Sequence, residues 1–297
     1  MPKGSSISLF MLIGVLCGST GAPALDETKY PDWKGQWVRA DGVEAAPWDA
    51  RKPDAHKPYT HKPYTHKSWG LGQQPPLIPE YQALFEANLK QLAAGVKASD
   101  PTTRCIPAAM PRVMMAIHPM EIVVMPDTTY IMLETFSTLR RIFTDGRAWP
   151  KEREPSYAGF SIGQWEDTDR DGRFDTLAIE TRWIKGPHSY DDSGIPLHKD
   201  EQAVVKERMS LDRSDPRLLR NEITTIDNAL SRPWTVTQSY RRVASAQPVW
   251  TERICNEDSQ TIRIGEEDYA LGSDGLLTPV RKGQSPPDLR YFNQTRN

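Results

Sequence analysis

The chain has 297 residues, 37 of them Lys or Arg and 39 Asp or Glu, for a formal charge of −2. That balance excludes a nucleic-acid partner, which needs a clustered basic surface. The absence of C-x-x-C, H-E-x-x-H and a phosphate-cradling glycine loop excludes the chemistries those motifs carry.

Residues 1–24 have the three parts of a secretory signal. Lys3 supplies the positive start, Ile7–Cys17 the apolar run, and Ala22-Pro23-Ala24 a small-residue cleavage site. The run is shorter than the about 20 apolar residues that cross a bilayer, and no later stretch reads as a membrane span. The expected product is a soluble periplasmic or secreted protein of 273 residues (297 minus 24) with a charge of −3 (36 minus 39). Its two cysteines, Cys105 and Cys255, are expected to pair in an oxidising compartment.

From residue 25 to 78 the chain is rich in Pro, Lys, His and Trp and reads as an extended arm. Within it, Asp32–Trp37 reads as an anchor that buries two indoles against the main body. His56, His61 and His66 recur in a tandem His-Lys-Pro-Tyr-Thr repeat. Imidazoles suit Cu²⁺ or Zn²⁺, but a proline in each unit favours an extended chain that holds the rings apart. A duplicated linker is the plainer reading.

Pro79–Lys97 is the one strong helix. Proline suits a first helical position, and Tyr81, Leu84, Phe85, Leu89, Leu92 and Val96 form one apolar stripe. From Met120 the period shortens to that of strands. The pattern predicts eight: Met120–Met125, Thr129–Phe136, Leu139–Thr144, Ala158–Glu166, Thr176–Ile184, Ala203–Asp212, Leu218–Asp227 and Trp234–Val243. Short connections without helices make successive strands antiparallel neighbours, and closure removes both exposed edges. The predicted fold is mainly β, an eight-stranded antiparallel up-and-down barrel of lipocalin-like shape with one N-terminal helix, over residues 79–255. Such a barrel holds its own side chains or one small ligand. Val249–Cys255 reads as a short helix, and residues 256–297 as a polar tail packed on the domain.

Between two of these strands lies Asp167-Thr168-Asp169-Arg170-Asp171-Gly172-Arg173-Phe174-Asp175. Ca²⁺ takes six to eight oxygens from a flexible loop, with a glycine at position 6 for the turn. Asp167, Asp169, Asp171 and Asp175 fill the acidic places, Gly172 is the turn, and Arg173 offers its carbonyl. The EF-hand glutamate at position 12 is here Ala178, so the loop resembles instead the calcium loops of integrin-type and thrombospondin-type repeats. A structural Ca²⁺ is the expected cofactor, and no organic cofactor is predicted. The plainer alternative is a solvated acidic hairpin tip.

Candidates for chemistry are scattered. One of Arg140 and Arg141 must face into the barrel, because neighbours on a strand point to opposite sides; Arg141 is taken as the ligand-facing one. The long loop from Lys185 to Asp200 carries His188, which with a carboxylate beside it becomes a candidate general base. Glu134 and Asp227 are acidic residues at the ends of otherwise apolar strands, and His118 stands just before the first of them. The catalytic candidates are thus His188, Arg141, Glu134 and Asp227, and the ligand-binding candidates Arg141, His118 and His188. Gly159-Phe160-Ser161-Ile162-Gly163 spells G-x-S-x-G but lies inside a predicted strand, not at a strand-to-helix turn, so it is no nucleophile elbow.

The order of Cys105-Ile106-Pro107, Met110-Pro111-Arg112, Arg140–Arg147, Gly159–Glu166 and Pro233-Trp234 resembles a family of exported bacterial proteins of no assigned activity. That resemblance implies one secreted, barrel-like domain and no particular reaction. The reading from sequence is an exported binding protein for a small, mostly apolar molecule in a barrel cavity, with a structural calcium loop. An enzyme using the same cavity, as an isomerase, lyase or hydrolase, is one alternative. An envelope protein-interaction module is the other.

Overall fold

The computed structural model describes residues 25–40, 75–93, 101–115, 118–191, 194–245, 247–251, 255, 261–265, 267–271, 276–281 and 283–287. The expected signal segment and the His56, His61 and His66 repeat lie outside the described residues.

Nine strands form a closed barrel in chain order: β1 (Gln36–Arg39), β2 (Met120–Val124), β3 (Thr128–Leu133), β4 (Thr138–Phe143), β5 (Phe160–Glu166), β6 (Thr176–Arg182), β7 (Val204–Leu211), β8 (Leu218–Ile226) and β9 (Trp234–Arg242). Strands β2–β9 are the eight that the alternation predicts. The ninth, β1, corrects the count: it is only four residues long and lies inside the segment read as an extended arm. It closes the ring by pairing with β2 on one side and β9 on the other.

The extra strand also overturns the all-antiparallel expectation, for a reason of parity. Each antiparallel contact reverses direction, so a closed ring must contain an even number of them. Nine strands therefore require at least one parallel contact, and it falls between β4 and β5, joined only through Ile142↔Ser161 and Phe143↔Ile162. A parallel step needs a long connection, and residues 144–159 supply it.

Inward positions alternate with outward ones along every strand. Trp37, Met120, Ile131, Ile142, Leu177 and Trp234 are fully buried. Gly163 faces inward because Ile142 fills its place: a Cβ there would stand 2.7 Å from Ile142 Cγ2. The predicted indole anchor is present, with Trp33 and Trp37 both buried. Trp37 Nε1 donates to the Trp33 carbonyl at 2.9 Å, and the Trp33 ring lies 4.9 Å from that of Trp165.

One end of the barrel, where Tyr190 of the β6–β7 connection stacks on Trp234, is covered by that connection with α1 (Pro79–Ala93) and α2 (Arg112–Met115). The connection is met by α2 through Arg112 on Ser189 and by α1 through Tyr81 against His198. The helix buries Tyr81 and Phe85, whereas Leu84 is 48% exposed and leaves the predicted stripe. The second helix is too short to show a period. It is held by backbone acceptors: Tyr240 Oη donates to the Met114 carbonyl at 2.6 Å and Arg39 Nη1 to that of Met115 at 3.0 Å.

Cys105 and Cys255 are disulfide-bonded, with Cα atoms 5.4 Å apart across 150 residues. Closing a loop of that length is worth on the order of 4–5 kcal/mol. Within the segment read as a polar tail, β10 (Thr261–Ile264), β11 (Glu267–Leu271) and β12 (Leu277–Pro279) form a second, three-stranded sheet, which the sequence reading did not place. Of the predicted short helix Val249–Cys255, residues 249–251 have no regular structure and Cys255 is helical.

Candidate functional site

The lumen is not a purely apolar lining. Arg140 and Glu207 pair inside it, Nη2 to Oε2 at 2.6 Å and Nη1 to Oε1 at 3.2 Å, with both side chains wholly buried. Asn221 Nδ2 donates to Glu207 Oε1 at 2.9 Å, and Arg140 reaches Thr181 Oγ1 at 3.4 Å. Ser161 Oγ completes the group, 2.8 Å from Thr181 Oγ1; it lies mid-strand and is no nucleophile elbow. The inward arginine is thus Arg140. Arg141 stands on the outer face, exposed, with its guanidinium carbon 5.7 Å from the Phe143 ring centre.

At the covered end, His188 is buried, and neither ring nitrogen has a hydrogen-bond partner. Burial lowers its pKa to about 4, against a smaller opposing effect of Asp200. It is therefore neutral at pH 7. No hydrogen bond joins it to Asp227 or Glu134. Asp227 is raised by burial, and its Oδ1 accepts the backbone N–H groups of His198 at 2.9 Å and Ala229 at 2.8 Å, which fixes the turn after β8. Glu134 follows β3 directly and accepts Thr251 N–H at 3.3 Å. His118 is half-buried just before β2. The residues offered for catalysis are thus divided between the outer face and separate structural contacts. Arg112, a residue that the sequence reading did not single out for chemistry, donates to Ser189 Oγ at 2.9 Å.

The acidic loop joins β5 to β6 at the opposite end of the barrel. Ligand oxygens of Asp167, Asp169 and Asp175 lie within 4.8 Å of one another. Asp171 does not join them: its Oδ1 accepts the Arg173 N–H at 2.8 Å. Gly172 takes φ +90° at the turn, and Arg170 takes +63°. Asp167 accepts backbone N–H groups from Asp171 and Gly172. Burial tends to raise Asp175, but hydrogen bonds from Thr168 and Thr176 outweigh it and hold the carboxyl below its ordinary range.

A concavity with chemistry on its walls lies outside the barrel, across the outer faces of β5 to β8, with a volume of about 840 Å³. Its size is that of a small-molecule site. The floor is two cross-strand rows set by register. One runs Gln164–Ala178–Arg208–Glu222 and the other Ile162–Glu180–Lys206–Thr224. The β4–β5 crossover forms one wall through Thr144, Arg147 and Trp149, while Tyr30 and Phe174 close the corner beside the acidic loop.

Most charges here are matched. Arg208 pairs with Glu166 at 2.6 Å and Lys206 with Glu180 at 3.5 Å, while Arg182 also bonds Glu180. The Arg182 guanidinium carbon lies 4.3 Å from the Trp149 ring centre and orients that indole. Sequence reasoning missed this groove because its residues are the outward halves of four strands, which an alternating pattern marks only as solvent-facing.

Comparison with protein-family models and with curated proteins gives no match to this chain.

Proposed function

We propose that the protein is an exported binding protein for a small molecule, held in the outer groove of the barrel and not in its lumen. The observation that carries this reading is the register that aligns two rows of mostly polar outward side chains beneath the Trp149 wall. The sequence reading of a mostly apolar ligand gives way to an amphipathic one, because a purely apolar ligand would desolvate the charged floor without replacing its hydrogen bonds. In the same reading a structural Ca²⁺ stiffens the β5–β6 hairpin at the groove's lower corner. Asp167, Asp169 and Asp175 would hold it, and the ion would neutralise their mutual repulsion.

The test is native mass spectrometry of the protein purified from its own export compartment, as wild type and as Ala178→Trp. Ala178 is half-buried at the middle of the floor, so an indole there fills the groove without entering the core. A retained small molecule that disappears in the variant supports the reading. Retention of the same molecule by both proteins places the site elsewhere and refutes it.

A further inference from the structure

We infer that the groove is shaped for a short, linear, uncharged oligosaccharide lying across the strands, an assignment that rests on the groove being the binding site proposed above. The dimensions come first. Neighbouring strands stand about 4.8 Å apart, so the three steps from β5 to β8 span roughly 14 Å, and the two floor rows lie roughly 6.8 Å from each other. The step between strands is close to the advance of one pyranose ring, and the width between rows is close to the breadth of one. A chain of sugars laid across the strands therefore meets a fresh pair of side chains at each unit.

The chemistry points the same way. The floor carries donors and acceptors beside the apolar Ile162 and Ala178, and its cations are already paired, Lys206 with Glu180 and Arg208 with Glu166. A ligand with net charge of either sign would oppose one member of each pair. A hydroxyl both donates and accepts, so vicinal hydroxyls can bridge an existing pair without separating it. Glu222, in line with Arg208 on β8, adds a carboxylate acceptor at the open end. Trp149 and Tyr30 supply aromatic surface for the C–H faces of the rings. An extended peptide fits less well. Peptides that join sheets use a free strand edge, and β6, β7 and β8 are paired along both edges.

The experiment is calorimetric titration of the full mature protein with soluble linear oligosaccharides of increasing length. The panel comprises β-linked glucose, xylose and N-acetylglucosamine series and an α-linked glucose series. A uronic-acid series, dodecanoic acid and a short neutral peptide form the comparison arms. The expected result is saturable binding of at least one uncharged series. Its affinity should rise with chain length and then level off once the groove is spanned, and the uronic series should bind more weakly. Trp149→Ala and Glu222→Ala should each lower the affinity about tenfold or more, and Ala178→Trp should abolish it, with circular dichroism unchanged. If no uncharged series binds at millimolar concentration, or if dodecanoic acid or the peptide binds in its place, the inference is overturned. The groove itself is judged separately by whether Ala178→Trp displaces the retained molecule, so the two ideas fail independently.

Discussion

Replacing Arg140 by Met tests the account of the barrel interior most directly. The Arg140 and Glu207 side chains are both fully buried and joined by two hydrogen bonds. Removing the guanidinium leaves the Glu207 carboxylate in the lumen with Asn221 Nδ2 as its remaining described donor. Breaking a buried pair from one side costs about 3–5 kcal/mol, because one charge is left uncompensated. A domain of this size loses about 2–4 °C in melting temperature per kcal/mol, so the expected fall is roughly 6–20 °C. The double variant Arg140→Met, Glu207→Leu removes both charges. Such replacements are often neutral or stabilising, although Asn221 and Thr181 then lose partners at about 1–3 kcal/mol each. The double variant should therefore be no less stable than Arg140→Met alone, and the cycle should show strong positive coupling. Urea and thermal denaturation followed by circular dichroism supply the numbers. A loss below about 1 kcal/mol for Arg140→Met, or additive single effects, would show that water reaches the pair and that the lumen is not sealed.

The remaining predictions concern pH, packing and metal. The folded pKa of His188, about 4, lies below its ordinary 6.5. Between those values the unfolded chain binds more protons, so stability is full above about pH 6.5 and is lost as pH falls towards 4. The loss is roughly 3 kcal/mol. In His188→Phe this part of the pH dependence should vanish, and the raised Asp227, which acts with the opposite sign, is common to both proteins. An unchanged pH slope would mean that the imidazole is solvated. Gly163→Ala places a methyl 2.7 Å from Ile142 Cγ2 and 3.2 Å from Leu177 Cδ1; it should cost about 1–3 kcal/mol in urea melts. Much of that cost should disappear when Ile142→Ala is the background. Finally, Ca²⁺ should raise the melting temperature of the wild type and a chelator should reverse the rise. Asp169→Asn should remove the response at little structural cost, since the one described contact of the Asp169 carboxylate is a distant 3.9 Å approach to Arg213. An undiminished rise in that variant would take the loop out of the metal account.

Much of the barrel was legible in the chain because strand alternation is local. Glu207 between Val205 and Met209, or Asn221 between Leu219 and Ile223, follows the same period as its buried neighbours, so strands β2–β9 could be placed from pattern alone. The acidic hairpin and the Cys105–Cys255 pairing were legible for a similar reason, since each depends on residue type and spacing or on simple count. A four-residue strand such as Gln36–Arg39 carries no period long enough to detect, and its role appears only when β2 and β9 are seen on either side of it.

What the amino-acid order determined by itself was which residues alternate, where the chain turns and which cysteines are left to pair. Tertiary structure decided how many strands close the ring, that Arg140 and not Arg141 faces inward, and that Gln164, Ala178, Arg208 and Glu222 fall in line. The physical reason is that closure and register are set by contacts between segments far apart in the chain. A shift of one residue in any strand would send its outward side chains to the other face, and the groove exists only for the registers this barrel adopts.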